Sequence, residues 1–100
     1  MANIDSIEAD IIKRLEGRKA VGKTISFDLK GEGILRIDAR AEPVTLSRSD
    51  EKSDATLTIS AEDMAGLLDG SINGQSLMMT GRAKMSGNPM IAMKLRDLLM

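Results

Sequence analysis

Apolar and polar side chains alternate in several short stretches of this chain. In residues 55–59, Leu57 and Ile59 alternate with two threonines. A period of two places successive side chains on opposite faces of a β-strand, so each stretch predicts a strand with one apolar face. Five strands are predicted on this basis, at residues 24–30, around 35–39, around 44–46, at 55–59 and at 79–86. The sequence Gly31-Glu32-Gly33 predicts a hairpin loop between the first two.

Apolar side chains recur at helical spacing outside these strands. Residues 3–16 carry such a stripe and predict an amphipathic helix, with Asp5 and Glu8 resembling a capping box and Gly17 ending the helix. The stripe consists of Ile4, Ile7, Ile11, Ile12 and Leu15.

A second helix is predicted to follow the fourth strand. Ser60 can accept a hydrogen bond from an unpaired amide of the first turn, and Gly70 suits the left-handed residue that ends a helix. A short helical turn containing Ile72 follows, and Gly74 is expected to interrupt it.

The last helix is predicted to run to the end of the chain. Asn88 can cap it and Pro89 fits its first position. Its broad apolar face consists of Met90, Ile91, Met93, Leu95, Leu98 and Leu99. A helix this apolar must pack on another layer, and its terminal position would let it act as a lid.

Each predicted strand has one apolar and one polar face. The sheet should therefore be largely antiparallel and exposed to water on one side. The helices must cover the other side, which predicts an α+β fold, a two-layer sandwich of about five strands. We expect residues 1–100 to form a single domain, with one sheet–helix interface as its apolar interior.

Composition narrows the function classes. Fourteen basic and fifteen acidic residues leave a net charge of −1, and Phe27 is the only aromatic residue. Neither feature suits a nucleic-acid partner. The chain contains no histidine and no cysteine, which excludes thiol chemistry, the usual zinc sites and triads that need an imidazole. Catalysis would have to rest on carboxylates, lysines or hydroxyls, and we expect no catalytic residue, no metal and no cofactor. No apolar run reaches 18 residues and no signal peptide is recognisable, which favours the cytoplasm.

Residues 17–24 satisfy the P-loop expression G-x-x-x-x-G-K-[ST]. A phosphate-binding loop follows a strand and opens a helix, whereas here a helix is predicted before the loop and a strand after it. Nucleotide hydrolysis is therefore disfavoured. The basic residues of segment 13–23 could instead meet lipid headgroups or the phosphates of an acyl-coenzyme A, or they could simply be a solvated helix end.

The second half of the chain resembles the sterol carrier protein type-2 family. The resemblance lies in Asp54-Ala-Thr-Leu-Thr-Ile, the acidic helix start, Gly70, Asn73-Gly74-Gln75-Ser76, Gly81-Arg-Ala-Lys-Met-Ser-Gly87-Asn88 and Ala92-Met93-Lys94-Leu95. It implies a non-enzymatic domain that holds a fatty acid, acyl-coenzyme A, sterol-like molecule or other lipid in an apolar tunnel between sheet and helices. In such relatives a glutamine at the position of Gln75 lies near the tunnel. On its own, the sequence equally supports a turn residue that bonds to the local backbone.

The resemblance makes the apolar residues of the sheet and helices candidates for the tunnel lining. The predicted lipid-binding residues are Phe27, Leu35, Ile37, Leu57, Met64, Leu67, Leu68, Gln75, Leu77, Met78, Met79, Met85, Met90, Met93 and Leu98. Spacing alone would make the same stripe an ordinary packed core.

Two functional hypotheses follow. The first is a lipid-binding or lipid-transfer domain that is a monomer rather than a dimer and touches membrane surfaces transiently. The alternative is a protein–protein interaction or dimerisation module that uses the Met- and Leu-rich C-terminal helix.

Overall fold

The computed structural model describes residues 3–99, apart from the side chains of Ala92, Arg96 and Asp97. In chain order the elements are α1 (Ile4–Leu15), β1 (Thr24–Leu29), β2 (Gly33–Asp38), β3 (Thr45–Ser47), β4 (Ala55–Ile59), α2 (Ala61–Asp69), α3 (Gly74–Met79), β5 (Lys84–Gly87) and α4 (Ile91–Leu99).

The five strands form one mixed sheet in the order β3-β2-β1-β4-β5. Only β1 and β4 pair in parallel, with Ile25 opposite Ala55; the other three pairings are antiparallel. The β1–β2 hairpin closes at Leu29 and Gly33, which leaves the expected three-residue loop. The predicted α+β fold with a largely antiparallel sheet is confirmed.

The core lies between the sheet and the helices. Every second residue of β1 and β2 faces the helices, as the alternation of side chains along a strand requires. These residues are fully buried: Ile25, Phe27, Leu29, Leu35 and Ile37. From the helices, Ile7 and Ile11 of α1, Met64 of α2 and Leu98 of α4 are buried with them. One apolar stripe per helix and one apolar face of the sheet therefore build a two-layer domain.

The opposite face of the sheet is more covered than its polar pattern predicts. Arg36 belongs to the polar face of β2, yet it is almost fully buried beneath the loop that follows β3. Its Nε donates to the Ser53 hydroxyl at 3.1 Å and its Nη2 to the Lys52 carbonyl at 3.3 Å. The Ser26 hydroxyl lies 2.5 Å from the Ser53 hydroxyl. Hydrogen bonding thus fastens this loop onto the polar face.

The first helix begins with a different cap from the predicted one. Asn3 and Ser6 form the capping box, and the Asn3 side chain accepts from the Ser6 amide at 2.9 Å. Asp5 and Glu8 instead bind the guanidinium of Arg48, at 2.6 and 3.0 Å. Ile12, predicted on the apolar stripe, is exposed.

The segment after α2 departs most from prediction. Gly74 opens a helix instead of interrupting one, because the Asn73 side chain caps it by accepting from the Gln75 amide at 2.8 Å. Met79 therefore ends a helix and does not begin a strand. The fifth strand is limited to Lys84–Gly87, half the predicted length.

The last helix is anchored by its carboxyl-terminal half. Asn88 accepts from the Met90 amide at 2.9 Å, and the helix proper begins one residue later. Its buried residues are Ile91, Leu95, Leu98 and Leu99, whereas Met90 and Met93 of the predicted apolar face are exposed. Burying four aliphatic side chains contributes roughly 6–12 kcal/mol, comparable to the whole stability of a domain of about 5–15 kcal/mol. These four buried side chains make α4 part of the packed domain, and its role as a lid stays a prediction.

The loop with P-loop spacing has no phosphate-binding form. It follows α1 and leads into β1, the order that the sequence predicts. The amides of Val21 and Gly22 both donate to the Ala39 carbonyl at 2.9 Å. The Thr24 amide donates to the Asp54 carboxylate at 2.8 Å. These donors are occupied within the fold and do not converge on a ligand.

Candidate functional site

The space between the sheet and the helices is open at the β4–β5 edge. A cavity of about 670 Å³ lies there, enclosed by the inner faces of β4 and β5 and by α2, α3 and α4. It is lined by Leu57, Ile59, Leu67, Leu68, Gly70, Ile72, Asn73, Gly74, Gln75, Leu77, Met78, Ala83, Met85, Pro89, Leu95 and Leu99.

The lining divides into a buried wall and an exposed mouth. The buried wall is formed by Leu57, Ile59, Leu68, Leu77, Ala83, Leu95 and Leu99. The exposed lining residues are Gly70, Asn73, Gln75, Met78 and Pro89. The mouth therefore lies beside α3, between the turn that follows α2 and the turn that precedes α4.

The cavity wall is almost entirely apolar. Among the side chains that the structure describes, Asn73 and Gln75 are the only polar ones in the lining, and none of the lining side chains is charged. The side-chain oxygen of Asn73 caps α3 by accepting from the Gln75 backbone amide. The side-chain amide of Gln75 forms no hydrogen bond with the part of the chain that the structure describes. An apolar pocket of this size with a few polar groups at one end is typical of a site for a small apolar or amphiphilic ligand.

The turn that carries the mouth is held against α2 by a close contact. The Ile72 side chain lies directly over Gly66, where an added Cβ would be only 2.3 Å from Ile72 Cδ1. The Ile72 amide also donates to the Gly66 carbonyl at 3.1 Å. The absence of a side chain at Gly66 thus lets Ile72 form part of the cavity lining.

Arg14 of α1 holds the ends of the two helices that cover the cavity. Its Nη2 donates to the Leu68 carbonyl of α2 at 2.7 Å, and its Nη1 donates to the Leu99 carbonyl of α4 at 3.0 Å. Asp10, one turn earlier, accepts from its Nε at 2.9 Å. Carbonyls at a helix end lack partners within the helix, so one guanidinium satisfies both ends.

A second ion pair fixes the exit of α3. Arg82 binds both carboxylate oxygens of Asp63, which is buried in the first turn of α2. The Arg82 and Ala83 amides both donate to the Leu77 carbonyl, at 2.9 and 3.1 Å. These contacts position Leu77 and Ala83 in the wall.

The structure distributes the predicted lipid-binding residues among three environments. Seven line the cavity: Leu57, Leu67, Leu68, Gln75, Leu77, Met78 and Met85. Five do not line it and are packed in the closed core: Phe27, Leu35, Ile37, Met64 and Leu98. Three are exposed and lie outside it: Met79, Met90 and Met93. Phe27, Leu35 and Ile37 of the central strands are fully buried and do not line the cavity, so their contact with a lipid stays a prediction.

Sequence reasoning missed several lining residues. They are Ile59, Gly70, Ile72, Asn73, Gly74, Ala83, Pro89, Leu95 and Leu99. Ile59 and Leu95 had a usable signal, since they share the apolar faces of Leu57 and Leu98. Gly70 and Pro89 had none, because their backbone, rather than a characteristic side chain, borders the mouth.

A second groove of about 710 Å³ lies beside the end of α1 and the β3 edge. Ile12, Leu15, Pro43, Val44 and Leu46 form its apolar part, and Glu16, Arg18 and Glu42 border it. It contains none of the predicted lipid-binding residues.

The described residues form neither a metal-binding cluster nor a helix that could span a membrane. Within residues 3–99, no three carboxylate, histidine or cysteine side chains are grouped in a way that could hold a metal ion. In the same range, no helix has both the length and the hydropathy needed to cross a bilayer.

Comparison with known proteins gives consistent matches. The model of the SCP-2 sterol transfer family matches residues 4–100. Sterol carrier protein 2 of Oryctolagus cuniculus is 33% identical over 100 residues, which cover 89% of this chain and 18% of that protein. The chain therefore spans about a fifth of the length of the curated relatives it matches.

Two solved structures share the architecture. The sterol carrier protein domain 2 of Helicoverpa armigera is 31% identical with a TM-score of 0.69, covering 95% of this chain and 77% of that one. The Aedes aegypti sterol carrier protein-2, solved in complex with palmitate, is 24% identical with a TM-score of 0.74, covering 91% of this chain and 88% of that one.

Proposed function

Because the chain belongs to the SCP-2 sterol transfer family, we propose that it binds a lipid in the cavity at the β4–β5 edge and transfers it or presents it to another protein. The observation that carries this proposal is the apolar wall of a 670 Å³ space, in which none of the described lining side chains is charged. A protein of this size gains little by leaving such a space unfilled, since cavities in a packed interior are destabilising.

The energetics favour a flexible hydrocarbon ligand. Each methylene group removed from water contributes about 0.8 kcal/mol, so roughly ten buried methylenes contribute about 8 kcal/mol. That corresponds to a dissociation constant on the order of micromolar before the costs of ordering are deducted. Leu, Ile and Met side chains make weak demands on ligand shape, which supports a fatty acid, an acyl-coenzyme A or a sterol-like molecule as ligand.

We place the polar end of the ligand at the mouth. Gln75 lies there with its side-chain amide free of partners within the described residues. An amide can both donate to and accept from a headgroup. The Aedes aegypti neighbour was solved with palmitate, and a carboxylate at this mouth would meet the Gln75 amide and water.

We propose that the domain performs no catalysis on its ligand. General acid–base and nucleophilic catalysis both need an ionisable or activated group within reach of the reacting atom. The lining side chains that the structure describes are aliphatic, thioether and amide groups. We further propose a cytoplasmic monomer that reaches membranes transiently.

A cavity-filling substitution tests the proposal. Leu67→Phe adds bulk at a half-buried lining position and should weaken binding of a fluorescent palmitate analogue at least tenfold, with little loss of stability. Leu35→Phe is the matched control, because the same change in the closed core should cost roughly 1–3 kcal/mol of stability and leave the cavity intact. If the wild-type protein takes up no analogue after delipidation, or if both variants bind it equally well, the carrier proposal is wrong.

A protein–protein interaction module remains the second candidate. Met90, just before α4, and Met93 of α4 are exposed to solvent, and exposed apolar groups of this size often mark an interface. Size-exclusion chromatography separates the two proposals, since a docking module would self-associate and ignore the palmitate analogue.

A further inference from the structure

The chain contains a single kind of readily oxidised side chain. It has eight methionines and no cysteine, histidine, tryptophan or tyrosine. A peroxide converts the methionine thioether to a sulfoxide, which turns a flexible apolar side chain into a polar one. Because the sequence offers no thiol and no electron-rich aromatic ring, mild oxidation of this protein falls on methionine. Its consequence depends on where the methionines lie.

The methionines of the described residues differ in their exposure. Met64 is fully buried in the core, and Met85 of β5 is half-buried. The exposed ones are Met78, Met79, Met90 and Met93. Since susceptibility to oxidation follows exposure, these four side chains should react first.

One exposed methionine also lines the lipid cavity. Met78 is 45% exposed and lies at the mouth, at the end of α3. The other three exposed methionines do not line the cavity. Met85 does line it, but is covered more completely. Met78 is therefore the position at which a peroxide both reaches the sulfur and changes the lipid site.

Met78 shares one face of α3 with Gln75. The two residues are three apart in the helix, so their side chains are neighbours, and both line the mouth. A sulfoxide oxygen accepts hydrogen bonds, and the side-chain amide of Gln75 can donate one to it. Oxidation would then occupy the amide that we place against the lipid headgroup. It would also add a polar oxygen to an apolar wall, which disfavours contact with a hydrocarbon chain.

We propose that Met78 is a site of reversible oxidation by peroxide, and that its sulfoxide prevents tight lipid binding. The thioether sulfur attacks one oxygen of hydrogen peroxide, so that a sulfur–oxygen bond forms, the oxygen–oxygen bond breaks and the second oxygen leaves as water. Sulfur loses an electron pair and the peroxide is reduced. A methionine sulfoxide reductase with a thiol reductant reverses the step and releases water. The proposal rests on the carrier function above, since the sulfoxide has an effect only if the cavity holds a lipid.

Limited peroxide treatment of the delipidated wild-type protein is the first test. Peptide mass spectrometry should find one oxygen atom added at Met78 while Met64 stays unmodified, and the unmodified Met64 also shows that the core has not opened. The oxidised protein should bind the fluorescent palmitate analogue about tenfold more weakly. Treatment with the reductase should restore the affinity.

Leucine variants assign the effect to one sulfur atom. Leucine is close to methionine in volume and cannot form a sulfoxide. The affinity of Met78→Leu, compared with itself before and after peroxide, should not change. A triple variant keeps Met78 as the one exposed methionine of the described residues and should still lose about tenfold in affinity. Its substitutions are Met79→Leu, Met90→Leu and Met93→Leu.

Two further methionines are common to both variants. Met1 and Met100 lie outside the described residues. Because both proteins contain them, they cannot account for a difference between Met78→Leu and the triple variant.

Protection by ligand gives an independent measurement. Palmitate in the cavity should slow the oxidation of Met78, which lines the mouth. It should leave the oxidation rate of Met93 unchanged, because Met93 does not line the cavity. Mass spectrometry thus reports at the modified side chain itself whether the lipid covers it.

The outcomes separate this proposal from the carrier function. Complete oxidation of Met78 with unchanged affinity would overturn the proposal and leave the carrier function standing. An equal loss of affinity in Met78→Leu and the wild type would also overturn it, because another methionine would then be responsible. A delipidated wild-type protein that takes up no analogue before oxidation would refute the carrier function, and the control by oxidation with it.

Discussion

Gly66 leaves the space that the Ile72 side chain occupies, and this one contact decides the shape of the cavity lining after α2. The separation of 2.3 Å between an added Cβ and Ile72 Cδ1 is far inside van der Waals contact. Any side chain at Gly66 must therefore move Ile72, which lines the cavity. The glycine is maintained at the expense of helix propensity, since alanine favours a helix interior by about 1 kcal/mol over glycine.

These opposing effects give a prediction for Gly66→Ala. In the wild-type background the clash should outweigh the propensity gain and destabilise the domain by roughly 1–2 kcal/mol. In an Ile72→Ala background the clash is gone, so the same substitution should be neutral or stabilising by up to about 1 kcal/mol. Urea unfolding of the four proteins measures both values, and an equal effect in the two backgrounds would show that the contact is unimportant.

Asp54 joins the starts of the two parallel strands β1 and β4. Its carboxylate accepts from the Thr24 amide at 2.8 Å and from the Thr24 hydroxyl at 3.1 Å. The hydrogen bond from the Thr24 backbone amide is the main cause that lowers the pKa of Asp54, and the hydrogen bond from the Thr24 hydroxyl is the second. A carboxyl group whose pKa is lower in the folded state stabilises the fold when ionised, and the effect is lost as pH falls through that lowered pKa.

The predicted consequence is a pH-dependent effect of Asp54→Ala. The variant should melt below the wild type at neutral pH, and the gap should narrow as pH falls below about 4, the ordinary pKa of an aspartate. Asp50→Ala, at an exposed acid in the preceding loop, should show no such convergence. Melting curves across this pH range provide the measurement, and a gap that is constant or widens in acid would contradict the assignment.

Single-residue roles were only partly predictable. The apolar faces of Phe27 and Leu57 look alike in sequence, yet Phe27 is fully buried in the core and Leu57 lines the cavity. Periodicity reports which face of a strand is apolar, not how closely a helix approaches it. Met79 shows the converse error, because an apolar residue type led to a lining prediction for a side chain that is exposed.

At the level of secondary structure, α1 supports the cavity without lining it. Arg14 bonds to backbone carbonyls at the ends of α2 and α4, and hydrogen bonds to a charged group contribute about 1.5–3 kcal/mol each. Both carbonyl-bearing residues, Leu68 and Leu99, line the cavity. These two hydrogen bonds therefore link the position of α1 to the positions of α2 and α4 over the cavity.

We predict that Arg14→Gln loosens these two helix ends. Stability should fall by about 2 kcal/mol, and hydrogen exchange should quicken at the carboxyl ends of α2 and α4 while the central strands stay protected. Lys13→Gln, at an exposed position of the same helix, is the control and should change neither. Exchange that rises equally in every element would mean that Arg14 stabilises the domain generally and does not hold these ends.

Strong periodicity and capping made most elements predictable. The first four strands and the helices α1, α2 and α4 lie close to their predicted positions. The exception, residues 74–83, is short, and its sequence fits a strand alternation as well as a helix of six residues. What decides for the helix is the Asn73 cap together with the bonds from the Arg82 and Ala83 amides to the Leu77 carbonyl. The hydrogen bonds from these two backbone amides can be identified only in the folded structure.

The whole molecule is asymmetric between its two edges. Beside α1 the sheet is covered tightly, and Ile25, Phe27, Leu35 and Ile37 are fully buried. At the β4–β5 edge the short α3 covers the sheet incompletely, and the cavity results. The sequence predicts both layers and the apolar interface between them, but the place where that interface fails to close depends on how the elements pack.

This asymmetry gives a prediction about the stability of the whole domain. A ligand that binds only the folded state stabilises it by RT ln(1 + [L]/Kd), about 2.7 kcal/mol at a hundredfold excess over Kd. For a chain of this size, each kcal/mol corresponds to roughly 4–8 °C in Tm. Palmitate added to the delipidated protein should therefore raise Tm by about 10 °C or more, and the increase should grow with the logarithm of palmitate concentration.

Leu67→Phe shows whether the rise comes from the cavity. The variant should melt near the wild type without palmitate and gain much less from it, because the added ring occupies the ligand space. Leu35→Phe should start lower and gain as much as the wild type, since its change lies in the closed core. A rise in Tm of equal size in Leu67→Phe and the wild type would place palmitate elsewhere, with the groove between α1 and β3 the next region to mutate.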